Sequence, residues 1–415
     1  MKVLLVSIAF PPKRDPESLQ VAKYCKYLRT INNLNLEVIT SADPTLFMEP
    51  DETLMGYRKG IKVVHEIKIF ENRYLNFLIR KVNPHLLHYP DSKFSFWRQF
   101  KIVIKQVNSR PDILYSRSYP VSSTLLALKL KKAWGVPWVL HLSDPWAIAT
   151  ANSLSPATHF VGKARVWNKK KEEECFSLAD RICLTSHKTI ELYTNVYPQI
   201  QNKFFYAPNV YDDALMETNP FRMSNKLTFV YTGGFGQART PYTFLEAISK
   251  FWKKHGHTVD QKVEFLFTGE MTRVNREIFH KYKDIPVINH LGIIPYSEVL
   301  ALQKKADVLV NIDSNIKDGS HAVFFPSKLL EYKMAQRRIL AITNTNSATH
   351  QFVQNQLGDC FEFGEVDKLA DYFFYVFTKY QHREESFFYK PGEDLEFSAK
   401  HNAHRLADLF FSLNS

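Results

Sequence analysis

Short, strongly apolar runs alternate along the whole chain with stretches in which apolar residues recur every three or four positions. The runs at 2–8 (KVLLVSI), 36–40 (LEVIT), 112–118 (DILYSRS), 138–144 (WVLHLSD) and 182–186 (ICLTS) predict strands. The stretches between them predict helices near 19–30, 123–135 and 169–180. A second series begins at residue 227. LTFVYTGGFG is a strand entering a glycine turn. Residues 240–256 predict an amphipathic helix with Gly256 past its end, and VEFLFTGE, PVINHLGII, ADVLVNI and RILAITN supply further strands. Runs such as 306–312, rich in Val and Ile, suit parallel strands covered on both faces. The alternation predicts two doubly wound α/β domains.

Apolar content thins between 209 and 225, where Pro208, Asn209, Asp212, Asp213, Asn219 and Pro220 gather. The expected division is a first domain over 1–212 and a second over 213–395. The final stretch, 398–413, has helical spacing. A chain of 415 residues is long enough for two or three domains, and its 45% apolar content can fill large cores. Cys25, Cys175, Cys183 and Cys360 lie far apart with no CxxC pair, as expected for reduced, buried thiols. The apolar start is short, ends at Pro11-Pro12, and lacks the charged leader and cleavage site of a signal peptide. No run approaches the roughly 20 apolar residues of a membrane span. The expected location is therefore cytoplasmic. A net charge of +12 asks for an acidic partner: a nucleoside diphosphate, an anionic lipid surface or a nucleic acid. Nucleic acid ranks last, because the chain has no zinc finger, RNP-like motif or basic tail.

Two segments of the second half carry phosphate chemistry. In 306–335 a buried strand leads through a polar loop into a helix opening at Pro326-Ser327. Free N–H groups at a helix start attract anions. Lys328 adds a positive charge there, and Glu331, one turn on, can take hydroxyl hydrogen bonds. That spacing describes a phosphate and a ribose subsite on one helix. The alternative is an ordinary amphipathic helix with a surface Lys and Glu. In 230–248, strand, glycine turn and helix follow one another. Gly233, Gly234 and Gly236 remove Cβ atoms that would block a pyrophosphate, and Arg239 can clamp its oxygens. The alternative there is a plain turn before a surface helix.

PSKLLEYKMA, with Pro326, Ser327, Lys328, Glu331 and Tyr332, resembles the signature of family-4-like GT-B glycosyltransferases. Gly234, Phe235, Gly236 and Arg239 fit the family's G-x-F/L-G-x-x-R turn. The resemblance implies the GT-B fold: two Rossmann-like domains facing across a cleft, with the last helix (396–415) packing back on the first. It implies that Gly234, Phe235, Gly236, Arg239, Gly269, Ile294, Ser327, Lys328 and Glu331 bind the donor. Glu331 would take the ribose, Gly269 would line the pocket with help from Glu270, and Ile293 and Ile294 would meet the base edge or, alternatively, pack in the core. Two departures stand out. The family's first motif Glu falls at Val323, and the Lys expected about five residues after Arg239 is Phe244.

In the first half, the strand at 138–144 ends in His141, Ser143 and Asp144 before Pro145-Trp146. Polar groups at the carboxyl end of a parallel strand face the ligand crevice. The resemblance implies a catalytic role there, with Asp144 or His141 orienting the acceptor hydroxyl or holding the sugar. Strand alternation puts the two on opposite faces, so one of them serves packing. The loop 11–18 stands where the family has a glycine loop, with Lys13 and Arg14 available to acceptor or phosphate. Glu174 and Asn209 match landmarks of structural kind. Residues 73–107 mix aromatics and aliphatics with Arg73, Arg80, Lys81, Lys93, Arg98, Lys101 and Lys105. They form either a basic surface for anionic lipid or amphipathic helices packed on the sheet.

The expected activity is a sugar transfer from a nucleoside-diphosphate sugar (UDP- or GDP-linked) to a glycan or lipid-linked acceptor, with retention by family analogy. The role this implies is surface polysaccharide or glycolipid synthesis at the inner face of the plasma membrane. No D-x-D pair suited to a divalent cation is present, so no metal and no cofactor are expected. The rivals are a catalytically degenerate GT-B binding protein and a Rossmann oxidoreductase. The latter needs G-x-G-x-x-G after the first strand, and residues 9–18 contain no glycine.

Overall fold

The computed structural model describes residues 1–414 except 44, 47, 149–161, 217–220, 237–238, 316–324, 355–356 and 393. Val323 lies outside the described residues. The chain divides into two compact units, Met1–Asp213 with Leu395–Ser415, and Ala214–Asp394.

The first unit runs β1 (Lys2–Val6), α1 (Pro16–Leu28), β2 (Asn35–Ser41), β3 (Val63–Ile67), α2 (Arg73–Val82), α3 (Ser95–Arg98), α4 (Phe100–Gln106), β4 (Ile113–Ser118), α5 (Ser122–Trp134), β5 (Trp138–Leu142), α6 (Gly162–Leu178), β6 (Arg181–Leu184), α7 (His187–Val196) and β7 (Phe204–Tyr206). Its seven strands form one parallel sheet in the order β3-β2-β1-β4-β5-β6-β7. Both faces of β1 are buried. Leu4 and Val6 pack with Trp138 and Leu140 on one side, and Val3 and Leu5 with Tyr115 and Val139 on the other. That is why the strand reads as a continuous apolar run.

The second unit runs β8 (Leu227–Thr232), α8 (Tyr242–Val259), β9 (Val263–Thr268), α9 (Arg273–His280), β10 (Ile288–His290), α10 (Tyr296–Lys305), β11 (Val308–Ile312), α11 (Lys328–Met334), β12 (Arg338–Ile342), α12 (Ala348–Gln354), β13 (Gly358–Phe361), α13 (Val366–Gln381) and α14 (Glu385–Phe388). Its six-stranded parallel sheet is ordered β10-β9-β8-β11-β12-β13. The last helix, α15 (Ala399–Asn414), belongs to the first unit. It packs on α1, with Phe410 against the Tyr115 ring at 5.3 Å.

Both sheets reverse direction at one point, between β1 and β4 in the first and between β8 and β11 in the second. Loops leaving such neighbouring strands diverge to opposite faces and open a crevice at the strands' carboxyl ends. Two boundaries depart from the sequence reading. Gly256 lies inside α8 rather than beyond it, packed against Trp252, whose ring would lie 3.0 Å from an added Cβ. Residues 16–18 are the first turn of α1, not loop. Asp15 caps that helix by accepting from the Glu17 N–H, and Pro16 opens it.

Candidate active site

In the second unit the residues after β8 and after β11 meet at the reversal point. Lys328, first residue of α11, donates to the Thr232 carbonyl at 3.2 Å and lies 3.9 Å from the centroid of the Tyr231 ring. Arg239 is the other cation beside Tyr231. The Tyr231 hydroxyl and the Asp313 carboxylate face it and hold its proton more firmly than usual, although burial opposes this. Burial and the Arg239 charge together push the Lys328 ammonium well below its usual range. The Arg239 Nε is buried and has no hydrogen-bond partner among the described residues. A depressed lysine beside a guanidinium whose Nε has no partner among the described residues is an arrangement that an anion would complete.

The backbone here depends on two glycines. Gly233 has φ +126°, and a Cβ on it would reach within 3.8 Å of Lys328 Nζ. Gly269, φ +128°, lets the turn after β9 press against the turn after β8; a Cβ there would fall 2.3 Å from the Gly233 carbonyl oxygen. Gly269 thus builds the turn by close packing. Gly234 packs similarly against the Glu270 carbonyl, and Gly236 faces open space. Phe235 is not on the site surface. Its ring is buried, stacked on Tyr231 at 4.3 Å, because a phenyl group there extends the Phe267–Phe279 cluster. The expected donor contact of the Phe235 side chain is therefore corrected to a core role.

Glu331 is buried. Its carboxylate accepts from the Tyr296 hydroxyl at 2.8 Å and the Gln303 amide at 3.4 Å, and Gln303 also donates to Thr232 Oγ1 at 3.0 Å. Tyr332, next on α11, accepts from the Thr232 N–H and donates to the Val310 carbonyl, which ties α11 to the ends of β8 and β11. Pro326 precedes the helix and Ser327 is its cap residue, with no side-chain capping bond. Neither Ile293 nor Ile294 is a core residue: Ile293 is exposed and Ile294 half-buried.

Sequence reasoning passed over two residues of this half. Asp313, just past β11, is the counter-charge to both cations; it accepts from Asn311 and Thr343. Its signal was its place, an acid at the carboxyl end of the strand next to β8. Asn275 on α9 is buried, and its amide nitrogen lies within 3.2 Å of the Phe235, Gly236 and Arg239 carbonyls. It fixes the turn that delivers Arg239. Asn275→Ala removes these bonds and strands the buried carbonyls, so a stability loss of about 1–3 kcal/mol is expected. Urea unfolding checks the number.

In the first unit the reversal point is lined by the residues after β1, β4 and β5. Arg117, on β4, is wholly buried. It donates from Nε to Glu17 at 2.9 Å and lies over the Tyr24 ring at 5.2 Å. Glu17 also accepts from Ser143 Oγ. Burial pushes the Glu17 carboxyl up to about 7, against the pull of Arg117 and Ser143. Arg117 Nη1 has no partner among the described residues. Asp144 stands beside Ser143. Its carboxylate is half-buried and unpaired among the described residues, and burial with the nearby Asp15 charge raises it to about 6. The turn carrying it is pinned from behind: the Ala147 N–H donates to Glu172 at 2.8 Å and the Trp146 N–H to the Tyr193 hydroxyl at 2.9 Å.

His141 takes the packing role of the pair. Both ring nitrogens are engaged, Nδ1 with the Tyr115 hydroxyl at 2.9 Å and Nε2 with the Ala207 carbonyl at 3.2 Å. Burial first, then Arg117, pushes its pKa well below the usual range. Proton transfer needs a free ring nitrogen that meets the reactant, so the catalytic expectation for His141 is corrected. Lys13 is likewise withdrawn. It is buried, donates to the Ser41 carbonyl at 2.7 Å and pairs with Asp43 at 3.2 Å. Arg14 remains half-exposed. Arg117 itself was legible as a charge inside an apolar strand, but its partner lies a hundred positions away. Glu17→Ala leaves a buried guanidinium without its ion pair, which costs about 3–5 kcal/mol. The urea midpoint should fall accordingly, and an unchanged midpoint would refute the pairing.

No family model matches the sequence, and neither does any curated protein. Solved structures match it over nearly its full length. Sucrose-phosphate synthase from Thermosynechococcus elongatus superposes with a TM-score of 0.63 at 13% identity, over 99% of this chain and 98% of that one. The Neisseria meningitidis UDP-GlcNAc 2-epimerase bound to UDP-GlcNAc gives 0.60 at 12%, over 99% and 100%. Anabaena HepE in complex with UDP and glucose gives 0.57 at 12%, over 100% and 96%. With its two parallel sheets of seven and six strands, the chain has the GT-B fold.

Proposed function

We propose that this protein transfers a sugar from a nucleoside-diphosphate sugar to a glycan or lipid-linked acceptor. The observation that carries the reading is the convergence of Arg239 and Lys328 on Tyr231, from two loops far apart in sequence, at the carboxyl ends of β8 and β11. In this reading the two cations take the diphosphate. As the sugar leaves, charge grows on the β-phosphate oxygens, and preorganised donors stabilise it at the moment it appears. Glu331, held by Tyr296 and Gln303, is placed one turn after Lys328 to meet the ribose hydroxyls. Asp144, whose carboxylate has no partner among the described residues, orients the acceptor hydroxyl.

The sugar-nucleotide class is supported by the fold, shared with structures holding UDP-glucose and UDP-GlcNAc. Transfer with retention, the acceptor class and a role in surface polysaccharide or glycolipid synthesis extend that reading by resemblance. A front-face path fits retention: the leaving phosphate accepts the acceptor's proton as the new glycosidic bond forms. The test is incubation of the purified protein with a panel of UDP- and GDP-sugars, with nucleotide release and sugar product followed separately. Released UDP or GDP with a new glycoside supports transfer, whereas release with free sugar alone shows hydrolysis of a bound nucleotide sugar. Conversion of one UDP-sugar into its epimer without release replaces it with an epimerase, and binding without turnover leaves a nucleotide-sugar-binding protein.

A further inference from the structure

α2 is built the wrong way round for a helix packed on its own sheet. Its buried position is Asn76, only 7% exposed, whose Nδ2 has no partner among the described residues. Ile79 is half-buried, and its other apolar side chains point outward. Tyr74, Leu75, Phe77, Leu78 and Val82 are all exposed, Val82 by 85% and Tyr74 by 81%, and Leu86 continues the patch just beyond the helix. Phe70, before the helix, adds another exposed ring. Single exposed apolar residues are ordinary; a contiguous set on one helix marks an interaction surface.

The exposed charges on α2 itself have one sign. α2, RYLNFLIRKV, contains no acid. Arg73 and Lys81 are exposed on it, and the Lys81 ammonium lies 4.7 Å from the centre of the exposed Phe77 ring. Lys68 is exposed shortly before the helix, where Glu66 is exposed as well, and Arg98, Lys101 and Lys105 are exposed further along the chain. At ten residues α2 is about 15 Å long, half the hydrocarbon thickness, so it can lie in a membrane interface but not cross it. Among the described residues no helix is long and apolar enough to span a bilayer.

We propose that the exposed face of α2, with Phe70 and Leu86, docks this protein on an anionic lipid surface. The apolar side chains enter the acyl boundary while Arg73 and Lys81 reach back to the phosphates. A second copy of the chain is the poorer occupant, because a self-paired α2 would bring Arg73 and Lys81 against their own like charges. The inference is independent of the sugar-transfer reading, since it rests on a different surface and needs no turnover.

Flotation with phosphatidylcholine vesicles, with and without phosphatidylglycerol, tests it. The protein is expected to float with the anionic vesicles and to be released as salt rises, because the phosphate attraction is screened. The double variant L78D/V82D is expected to bind them roughly a hundredfold more weakly, from the loss of two buried aliphatic chains, while keeping the wild-type urea midpoint and UDP affinity. Absence of flotation, or flotation equal in wild type and variant, overturns the proposal. So does a wild-type dimer in gel filtration that L78D/V82D converts to monomer, since the face would then be a contact between copies.

Discussion

Arg239→Ala is expected to raise the Kd for UDP by about 10- to 150-fold, which corresponds to losing a charge-assisted contact of roughly 1.5–3 kcal/mol. The thermal shift that UDP gives the wild type should shrink with it, because ligand stabilisation scales with the logarithm of concentration over Kd. Lys328 adds a pH signature. In the free protein, burial and Arg239 hold the ammonium well below its usual range. A diphosphate beside it stabilises the charged form and raises that pKa again. Binding therefore takes up protons wherever free Lys328 is partly neutral, and affinity strengthens as the pH falls through that range. Calorimetry in buffers of different ionisation enthalpy reads the uptake directly. Lys328→Met should abolish it, whereas Glu331→Ala should weaken UDP binding and leave the uptake in place. Equal shifts in wild type and both alanine variants would remove the site.

The sequence carried the two α/β units because parallel strands buried on both faces leave little choice of residue; β1, β8 and β11 are legible for that reason. It also carried Arg239 and Lys328, whose turns are short and local. Side-chain direction was harder to read. Phe235 sits in a turn that reads as a donor motif, yet its ring completes the Tyr231–Phe267 cluster. His141 and Lys13 are polar residues at a crevice, but each finds partners inward, at Ala207 and Tyr115 and at Ser41 and Asp43. Arg117 and Glu17 depend on pairing across β1 and β4, which no local pattern announces. The inverted face of α2 was open for a related reason: composition shows a basic amphipathic segment, and only packing shows which side is out.

Asp144→Asn is expected to lower kcat by about a hundredfold or more while leaving UDP binding unchanged. A carboxylate that accepts a hydrogen bond from the acceptor hydroxyl aligns it for the leaving phosphate, which takes the proton; such positioning contributes roughly 10²–10⁴, and a neutral asparagine holds the hydroxyl less firmly. The pH profile supplies the second readout. Burial and Asp15 raise Asp144 to about 6, so its carboxylate is ionised above that pH and protonated below it. Wild-type kcat should therefore fall as pH drops through about 6, and the residual activity of Asp144→Asn should be flat across the same range. Glu17 titrates higher, at about 7, and sits on the other side of Ser143. A limb near 7 that survives in Asp144→Asn would assign the proton to the Glu17–Arg117 pair and take the acceptor-orienting role from Asp144.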